Sequence, residues 1–417
     1  MRVKMESFDL LQYFYGRVHE PLIHGLFRLS APLDEQALKK AVTLSARAVP
    51  LIFCVCDLKN GRPRWEARPF SGEDAVRVVP AGEDEDGVAA SLLASPIDIT
   101  REPQLKVFVV RGSFKDSLLV IMNHMACDGS GFKAYLRLLC GLYTGLLNDP
   151  AYDPGIKPVP RGSGQLFLNF SLAEKVKILF LKYDLSALKR QTRFRLEGDK
   201  NMPLMLTRRI ESDGLSRMRA YAKRKGATVN DMALCAYARA LARKTGRTRV
   251  VIPCPMDLRK YRPEAKDAVC NLTSNYFLAL DIDAGAGFDE TLSAVTAQMQ
   301  AQKRSAACLK SVVMLETAFR LLPYRLLSRS FSRLFTIPVL SYTNLGTIDK
   351  GAMRFGGVET TAGYITGAIK YAPYFQIAVS TFDGVMTLSC NFYGTVGDQA
   401  AITDFLEAVC RELGSPN

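Results

Sequence analysis

A buried strand that passes into a helix through a short polar turn is the feature that most constrains this chain. Residues 117–122 read Ser-Leu-Leu-Val-Ile-Met, which predicts a buried strand. From Gly131 to Leu147 the apolar side chains recur at helical spacing, which predicts an amphipathic helix. The connecting residues, 123–131, read Asn-His-Met-Ala-Cys-Asp-Gly-Ser-Gly. A turn at the edge of a rigid scaffold is a common position for catalytic groups.

His124 is the candidate catalytic residue of this turn. It is one of three histidines in 417 residues, and it alone is flanked by an acid, a thiol and glycines. An imidazole can take a proton from an alcohol or an amine near neutral pH. A histidine that only satisfies backbone groups is the alternative. His19 and His24 lie early in the chain and belong to no comparable motif, so surface or core packing is expected for both.

Several other segments accompany the His-x-x-x-Asp-Gly pattern of residues 124–129. In order along the chain they are Pro96–Ile99 with Pro103 and the strand Leu105–Val110, the helix start Gly226–Asp231, the strand Val251–Arg259, and Ser341–Gly346. With these motifs the chain resembles the chloramphenicol acetyltransferase-like superfamily. That superfamily includes peptide-synthetase condensation domains, alcohol acyltransferases, and wax-ester and diacylglycerol synthases. The motifs together cover nearly the whole chain.

The resemblance implies an α/β fold of two chloramphenicol acetyltransferase-like subdomains. Mixed sheets are layered with helices, and an active-site channel lies between the subdomains. The stretch 148–165 is rich in proline and glycine and is the best candidate for a linker. We therefore expect an N-terminal subdomain of residues 1–160, which carries the His-x-x-x-Asp-Gly motif, and a C-terminal subdomain of residues 161–417.

The sequence departs from the superfamily at one position that matters for catalysis. Many relatives have two adjacent histidines, and Asn123 stands in place of the first. The second histidine is the usual base, so His124 keeps that expected role. The Asp-Phe-Gly-Trp-Gly motif of the plant branch is also absent.

The resemblance also implies roles for residues around His124. Asp128 is expected to hold the loop by bridging to an arginine, although an acid at this position can also orient the imidazole. The expected partner is Arg259, with Arg47 as the alternative. Gly129 and Gly131 are expected to let a substrate approach closely, because neither has a Cβ, or else to form a tight turn.

A second set of candidates lies in the Ser341–Gly346 segment. Ser341, Thr343 and Asn344 have short polar side chains at the end of a predicted strand. They are candidates for hydrogen bonds to a tetrahedral oxyanion or to a pantetheine arm. A turn that only ends the strand is the alternative.

The cysteine pattern bears on metal and thiol chemistry. Ten cysteines are scattered, with no pair of Cys-x-x-Cys units and no histidine near a cysteine pair, so reduced thiols and no metal site are expected. Cys127 is expected to point away from His124, which disfavours a covalent cysteine. No apolar run is long enough to span a bilayer, and the N-terminus has no apolar signal region. A cytoplasmic protein is expected.

The net charge of +14 limits the choice of partners. A basic surface attracts polyanions, but the chain has no recognisable nucleic-acid module. The resemblance favours coenzyme A or an acidic phosphopantetheine carrier protein, and ordinary surface charge is the alternative. Arg320, Arg325, Arg329 and Arg333 recur among apolar residues. This pattern predicts either peripheral contact with anionic lipid or a solvated helix face.

Together these features predict an acyltransferase. An acyl group moves from a thioester, on coenzyme A or on a carrier protein, to an alcohol, with His124 as general base. The thioester is a co-substrate, and no bound cofactor is expected. Two alternatives stay open: an amide-forming condensation enzyme that acts on an amine, and a non-catalytic module that binds carrier proteins.

Overall fold

The computed structural model describes residues 2–58, 62–181, 194–283, 285–334 and 337–414. The α-helices are α1 (Ser7–Tyr15), α2 (Glu35–Ser45), α3 (Gly72–Ala75), α4 (Glu85–Leu93), α5 (Gly129–Asn148), α6 (Leu172–Phe180), α7 (Ser212–Arg224), α8 (Val229–Thr245), α9 (Phe288–Arg304), α10 (Ala307–Leu321), α11 (Tyr324–Leu334) and α12 (Val396–Gly414). The strands are β1 (Arg2–Lys4), β2 (His19–Glu20), β3 (Leu22–Leu29), β4 (Cys54–Asp57), β5 (Arg64–Ala67), β6 (Val76–Pro80), β7 (Leu105–Arg111), β8 (Asp116–Asn123), β9 (Pro203–Ile210), β10 (Arg249–Asp257), β11 (Thr273–Asp281), β12 (Leu340–Ile348), β13 (Arg354–Phe355), β14 (Val358–Thr366), β15 (Ile369–Tyr371), β16 (Phe375–Phe382) and β17 (Val385–Tyr393).

Two six-stranded sheets form the frame of the molecule. The first sheet has the strand order β13-β14-β3-β8-β7-β6. The second has the order β12-β16-β17-β15-β2, and β9 pairs with β17. Each sheet combines parallel with antiparallel neighbours, such as β6 beside β7 and β12 beside β16 for the parallel pairs. The predicted α/β fold, with mixed sheets and helices in two subdomains, is confirmed.

The two halves of the chain exchange strands. β2, near the N-terminus, pairs with β15 of the second sheet. In return, β14 from the C-terminal half pairs with β3 of the first sheet. A division at residue 160 therefore separates most strands of the two sheets. Each sheet nevertheless contains strands from before and from after residue 160.

The strand before the His-x-x-x-Asp-Gly motif occupies the middle of the first sheet. β8 lies between β3 and β7, and all eight of its residues are buried. A strand covered on both faces reads as a continuous apolar run, which explains the sequence pattern of residues 117–122. The predicted helix follows directly, because the Asp128 side chain caps α5 by accepting a hydrogen bond from the Gly131 amide at 2.8 Å.

The acidic run at 83–87 differs from its expected form. Its sequence, Glu-Asp-Glu-Asp-Gly, is typical of an exposed loop, but α4 begins within it at Glu85. Asp84 caps the helix by accepting from the Gly87 amide at 2.7 Å. Carboxylates in a first helical turn are stabilised by the positive end of the helix dipole, and Glu85 also forms an ion pair with Arg28 at 2.6 Å.

The arginine-rich segment forms two helices, α10 and α11, which are separated at Pro323. In α11, Leu327 and Phe331 are buried, while Arg325 and Arg329 are exposed, as is Arg320 at the end of α10. The amphipathic pattern is thus present; the Arg333 side chain lies outside the described residues. The described helices include none that is both long and apolar enough to cross a bilayer. Residues 59–61, Lys-Asn-Gly, are typical of a hairpin turn, and they lie outside the described residues, as does most of a basic run at 175–195.

A buried ion pair joins α8 to the closing helix α12. Arg239 donates to Glu412 at 2.7 Å and also to the Thr291 hydroxyl at 3.0 Å. Glu412→Ala would leave the guanidinium buried without its counter-charge, and we expect a loss of about 3–5 kcal/mol in the free energy of unfolding. Glu407→Ala on the same helix is the matched control, because its pair with Arg208 is partly exposed and is worth at most about 1 kcal/mol. Urea denaturation measures both values, and equal losses in the two variants would contradict the expectation.

Candidate active site

Asn123, in place of the first of two histidines, has a structural role. Its side chain is fully buried. The amide nitrogen donates to the Gln104 side-chain oxygen at 2.8 Å, and its oxygen accepts from the Met125 backbone amide at 2.9 Å. An asparagine satisfies both a donor and an acceptor here, so it shapes the start of the turn without facing a substrate.

His124 follows Asn123 and is only half-buried. Its backbone is fixed on both sides: its amide donates to the Pro21 carbonyl at 2.7 Å, and its carbonyl accepts from the Asn271 side chain at 2.8 Å. Its Nδ1 is buried and has no hydrogen-bond partner among the described residues. Nε2 is therefore the nitrogen left for a substrate. Burial lowers the pKa of His124, and a favourable interaction with Asp128 opposes that shift.

Asp128 holds the turn and the start of α5 together. One carboxylate oxygen accepts from the Gly131 amide at 2.8 Å. The other accepts from the Leu272 amide at 2.7 Å and from the Arg259 guanidinium at 2.9 Å. Both oxygens are thus used by groups other than the His124 ring. The geometry fits a loop-holding role and offers no hydrogen bond that would orient the imidazole.

Arg259 completes this buried network. Besides Asp128, its guanidinium donates to the carbonyls of Ala268 at 3.0 Å and Cys270 at 2.8 Å. Arg47, the alternative partner, lies elsewhere and pairs with Asp153 on the surface. The loop that carries Ala268 and Cys270 is therefore tied to the His124 turn through one arginine.

Arg161 is a second anchor of the turn, and no local sequence pattern indicates this role. It comes from the proline-rich stretch between the two halves. It forms an ion pair with the buried Asp9 of α1 at 3.0 Å. The same guanidinium donates to the carbonyls of Met125 at 3.0 Å and Ala126 at 2.9 Å. The stretch that looked like a linker is thus packed against the candidate site.

The pocket beside His124 receives side chains from both halves of the chain. His124, Asp128 and Gly129 line it from the first half. The second half contributes residues of β10, β11, β12 and β15, among them Pro253, Thr273, Ser341, Thr343 and Lys370. A pocket between the two halves is the position expected for the channel.

Only part of the Ser341–Gly346 segment faces this pocket. Ser341 and Thr343 line it, whereas Asn344 does not. The Asn344 amide nitrogen donates to the Asn230 side chain at 2.8 Å, and its oxygen accepts from the Gly346 amide at 2.8 Å. Asn344 therefore shapes the end of β12. The Ser341 hydroxyl makes a long hydrogen bond, 3.4 Å, to the Phe375 carbonyl, which a better acceptor in the pocket could replace.

The two glycines of the motif are required by protein packing. A Cβ on Gly129 would lie 2.3 Å from a Leu345 methyl group. A Cβ on Gly131 would lie 2.8 Å from the Cys127 Cβ and 3.0 Å from the Cys270 carbonyl. Gly131 thus allows close packing of α5 against the 268–272 loop, while Gly129 also borders the pocket.

The other two histidines have different surroundings. His24 is buried in β3 with Nδ1 3.1 Å from the Gly367 carbonyl, as expected of a packed side chain. His19 is also buried, but it lines the same pocket as His124, and its Nδ1 lies 2.9 Å from the Lys370 ammonium. His19 is thus packed as expected, and strand pairing between β2 and β15 also brings it to the pocket, which its local sequence did not indicate.

Cys127 does not face the pocket. It is fully buried, its thiol lies 3.3 Å from the Met122 sulfur, and burial raises its pKa. A thiol that stays protonated is a poor nucleophile. The ten cysteines are free thiols, and in the part of the chain described here no three His, Cys, Asp or Glu side chains cluster as metal ligands.

Comparison with known sequences gives distant relatives. No family model matches the chain. An uncharacterized protein of Mycobacterium tuberculosis is 28% identical over 369 residues, which is 81% of each chain. The nonribosomal peptide synthetase TES of Alternaria alternata is 20% identical over 262 residues, which is 60% of this chain and 5% of the synthetase.

Comparison with solved structures identifies the fold. The first condensation domain of the CDA synthetase superposes with a TM-score of 0.72 at 15% identity, over 100% of this chain and 97% of that one. A trichothecene 15-O-acetyltransferase from Fusarium sporotrichioides superposes with a TM-score of 0.74 at 11% identity, over 99% and 95%. The chain has the condensation-domain, chloramphenicol acetyltransferase-like fold, and the resemblance drawn from the motifs is confirmed at that level.

The Asp128–Arg259 pair generates a prediction about the candidate site. Asp128→Ala and Arg259→Ala should each lower the free energy of unfolding by about 3–5 kcal/mol. Arg259→Ala leaves the buried Asp128 carboxylate without a cation, and Asp128→Ala leaves the buried guanidinium only the partly exposed Asp257 at 3.2 Å. The double variant should lose much less than the sum of the two, because the two side chains interact directly. Arg47→Ala is the control and should cost at most about 1 kcal/mol. Chemical denaturation of the four variants tests this, and additive losses would mean that the pair is not coupled.

Proposed function

We propose that this protein is an acyltransferase of the condensation type that moves an acyl group from a thioester to an alcohol. The observation that carries the proposal is the setting of His124. Its backbone is fixed, its Nδ1 is buried, and its ring borders a pocket shared by both halves of the chain. A positioned base beside a two-sided pocket is what a reaction between two substrates needs.

The proposed reaction uses His124 twice. Nε2 takes the hydroxyl proton while the alcohol oxygen attacks the thioester carbonyl. A carbon–oxygen bond forms, and the carbonyl electron pair moves to oxygen. The tetrahedral intermediate then collapses, the carbon–sulfur bond breaks, and the imidazolium returns the proton to the leaving thiolate. Because burial lowers the pKa of His124 below its ordinary 6.5, the ring is in its basic form at neutral pH.

The oxyanion of the intermediate needs hydrogen-bond donors. Ser341 and Thr343 are our candidates, because their side chains line the pocket with His124. Donors already in position at a developing negative charge stabilise the transition state at little cost in reorganisation. Gly129 borders the same space and keeps it open to the thioester. Asp128 and Arg259 support the site by holding the turn.

The donor in this proposal is an acyl-CoA or an acyl group on a phosphopantetheine carrier protein, acting as co-substrate without a resident cofactor. The net charge of +14 supports an anionic donor of either kind. The similarity to condensation domains favours one alternative, an amine acceptor and an amide product. A carrier-binding module without catalysis is the other alternative. For either acyl-transfer reaction we propose the cytoplasm as the place of action.

His124→Ala tests the catalytic role. Loss of a general base should lower the rate of thiol release from acyl-CoA by about 10²–10⁴-fold. The fold should be kept, since the ring is only half-buried. Cys127→Ala is the matched control and should retain turnover, because that thiol is buried away from the pocket. A panel of acyl-CoA donors with alcohols, and then with amines, separates ester from amide formation. If His124→Ala turns over substrate at the wild-type rate, the proposed mechanism is wrong.

The outer surface of α6 and the end of α10 supports a peripheral partner, which we propose to be an anionic membrane. Leu172 and Phe180 of α6 are 79% and 83% exposed. The exposed Lys175 and Lys177 lie between them, and α6 packs against α10, whose last turn carries the exposed Arg320. Apolar side chains that enter a bilayer beside cations that contact headgroups are typical of interfacial helices.

Vesicle flotation tests this surface. Replacing both Leu172 and Phe180 by serine should weaken binding to phosphatidylglycerol vesicles about tenfold or more, because two large apolar side chains no longer enter the bilayer. Turnover of a short acyl-CoA in solution should not change. Phe114→Ser is the matched control, since Phe114 is 87% exposed in a different part of the surface. Equal loss of binding in the control, or no loss in either, would make α6 an ordinary solvated helix.

A further inference from the structure

A lysine and a histidine lie side by side in the pocket of His124. Lys370 of β15 is the register partner of His19 on β2, and its ammonium is 2.9 Å from His19 Nδ1. Both residues line the pocket that His124 borders. No carboxylate forms an ion pair with Lys370 within the described ranges of the chain, although acids pair with many surface lysines and arginines. The pocket therefore contains a cation without a counter-charge.

The hydrogen bonds of this pair leave donors without acceptors. An ammonium has three N–H donors and no acceptor. One is directed to His19 Nδ1, and no other side-chain hydrogen bond joins Lys370 to a described residue. When Nδ1 accepts, the ring proton is on Nε2, which is buried and has no hydrogen-bond partner in the described structure. Unpaired donors on a buried cation are costly, and an anionic oxygen would satisfy them.

We infer that Lys370 and His19 form a binding site for a substrate carboxylate, so that the alcohol acylated at His124 is a hydroxy acid. The inference rests on the proposed acyltransferase function for the identity of the second substrate. One ammonium balances one carboxylate, whereas the phosphates of coenzyme A carry several charges and would need more cations. The position is also suitable, because the carboxylate would anchor the acceptor in the pocket that His124 borders.

The low dielectric of the pocket also favours a bound carboxylate. Burial lowers the pKa of Lys370 from its ordinary value to about 7. A carboxylate beside the ammonium would favour its charged form and restore the pKa upward. His19 stays neutral, because burial and then the Lys370 charge lower its pKa well below the ordinary value. Near pH 7 the empty site therefore holds Lys370 partly as the neutral amine, and a bound carboxylate would hold it as the cation beside a neutral ring.

Direct binding tests the site without relying on turnover. The probes are 3-hydroxybutyrate and 3-hydroxyoctanoate, each compared with its methyl ester by titration calorimetry. The wild-type protein should bind at least one acid about tenfold or more tightly than its ester, as expected of a charge-assisted hydrogen bond. Lys370→Met should abolish this preference, and His19→Gln should reduce it. Lys200→Met is the matched control, because Lys200 is an exposed cation over the neighbouring Tyr371 ring.

Kinetics then separate a carboxylate site from an oxyanion site. For a carboxylate on the acceptor, Lys370→Met should raise the ratio of KM for the hydroxy acid to KM for its methyl ester about tenfold or more, because only the acid loses a charge-assisted contact. A fall in kcat with every acceptor would assign Lys370 to the tetrahedral oxyanion and overturn the inference. The carboxylate could instead belong to the acyl group of the donor, and comparing turnover of succinyl-CoA with that of butyryl-CoA tests this. If Lys370→Met slows turnover of succinyl-CoA alone, the carboxylate is on the acyl group and the hydroxy-acid assignment is wrong.

Failure of this inference is distinguishable from failure of the proposed function. The His124→Ala variant should still bind the acids, because Lys370 and His19 are unchanged in it. If the protein binds the acids but turns over no donor, the carboxylate site is supported and the acyltransferase proposal is wrong. If a folded wild-type protein turns over neutral alcohols but binds each acid and its ester equally, the acyltransferase proposal is supported and the carboxylate site is wrong. Thermal denaturation of Lys370→Met confirms that each comparison uses folded protein.

Discussion

The carboxylate of Asp128 is the interaction on which the rest of the site depends. Its two oxygens accept hydrogen bonds from the first turn of α5, from the Leu272 amide and from the Arg259 guanidinium. Three separate parts of the chain thereby meet at one buried charge. Burying such a charge costs free energy unless hydrogen bonds replace those it made with water. Here each carboxylate oxygen accepts at least one hydrogen bond. The network keeps the turn before α5 in a single conformation, which determines where His124 lies.

The same turn is held by its backbone carbonyls as well. Arg161 binds the carbonyls of Met125 and Ala126, and Asn271 binds those of His124 and Met125. Carbonyls that follow a buried strand need donors, since no ladder continues beyond β8. Supplying them from side chains of the opposite half couples the turn to the assembly of both halves. A base positioned in this way loses little conformational freedom when a substrate binds, which is the physical basis of catalysis by orientation.

The sequence predicted what depends on local pattern and missed what depends on distant pairing. Periodicity gave β8 and α5, and Asp34 caps α2 as its position before an amphipathic run predicts. The resemblance to the superfamily also predicted that Arg259 is the partner of Asp128. In contrast, β14 is rich in threonine and small residues and has no clear alternation, so it was not predicted. Arg161 and the His19–Lys370 contact were missed because their partners lie up to 351 residues away, and no local pattern records such a contact.

The replacement of the first motif histidine and the presence of Lys370 together describe the electrostatics of the pocket. Asn123 places a neutral, buried amide where many relatives have a second imidazole, so it adds no charge beside His124. The charges that act on His124 are instead those of Asp128 and of Lys370, which lines the same pocket. Burial lowers the pKa of His124, Asp128 opposes that shift, and Lys370 adds to it. Asp128 already pairs with Arg259, whereas no carboxylate among the described residues pairs with Lys370 and weakens its field. An anion bound to Lys370 would cancel that field and make His124 a stronger base once the substrate is in place.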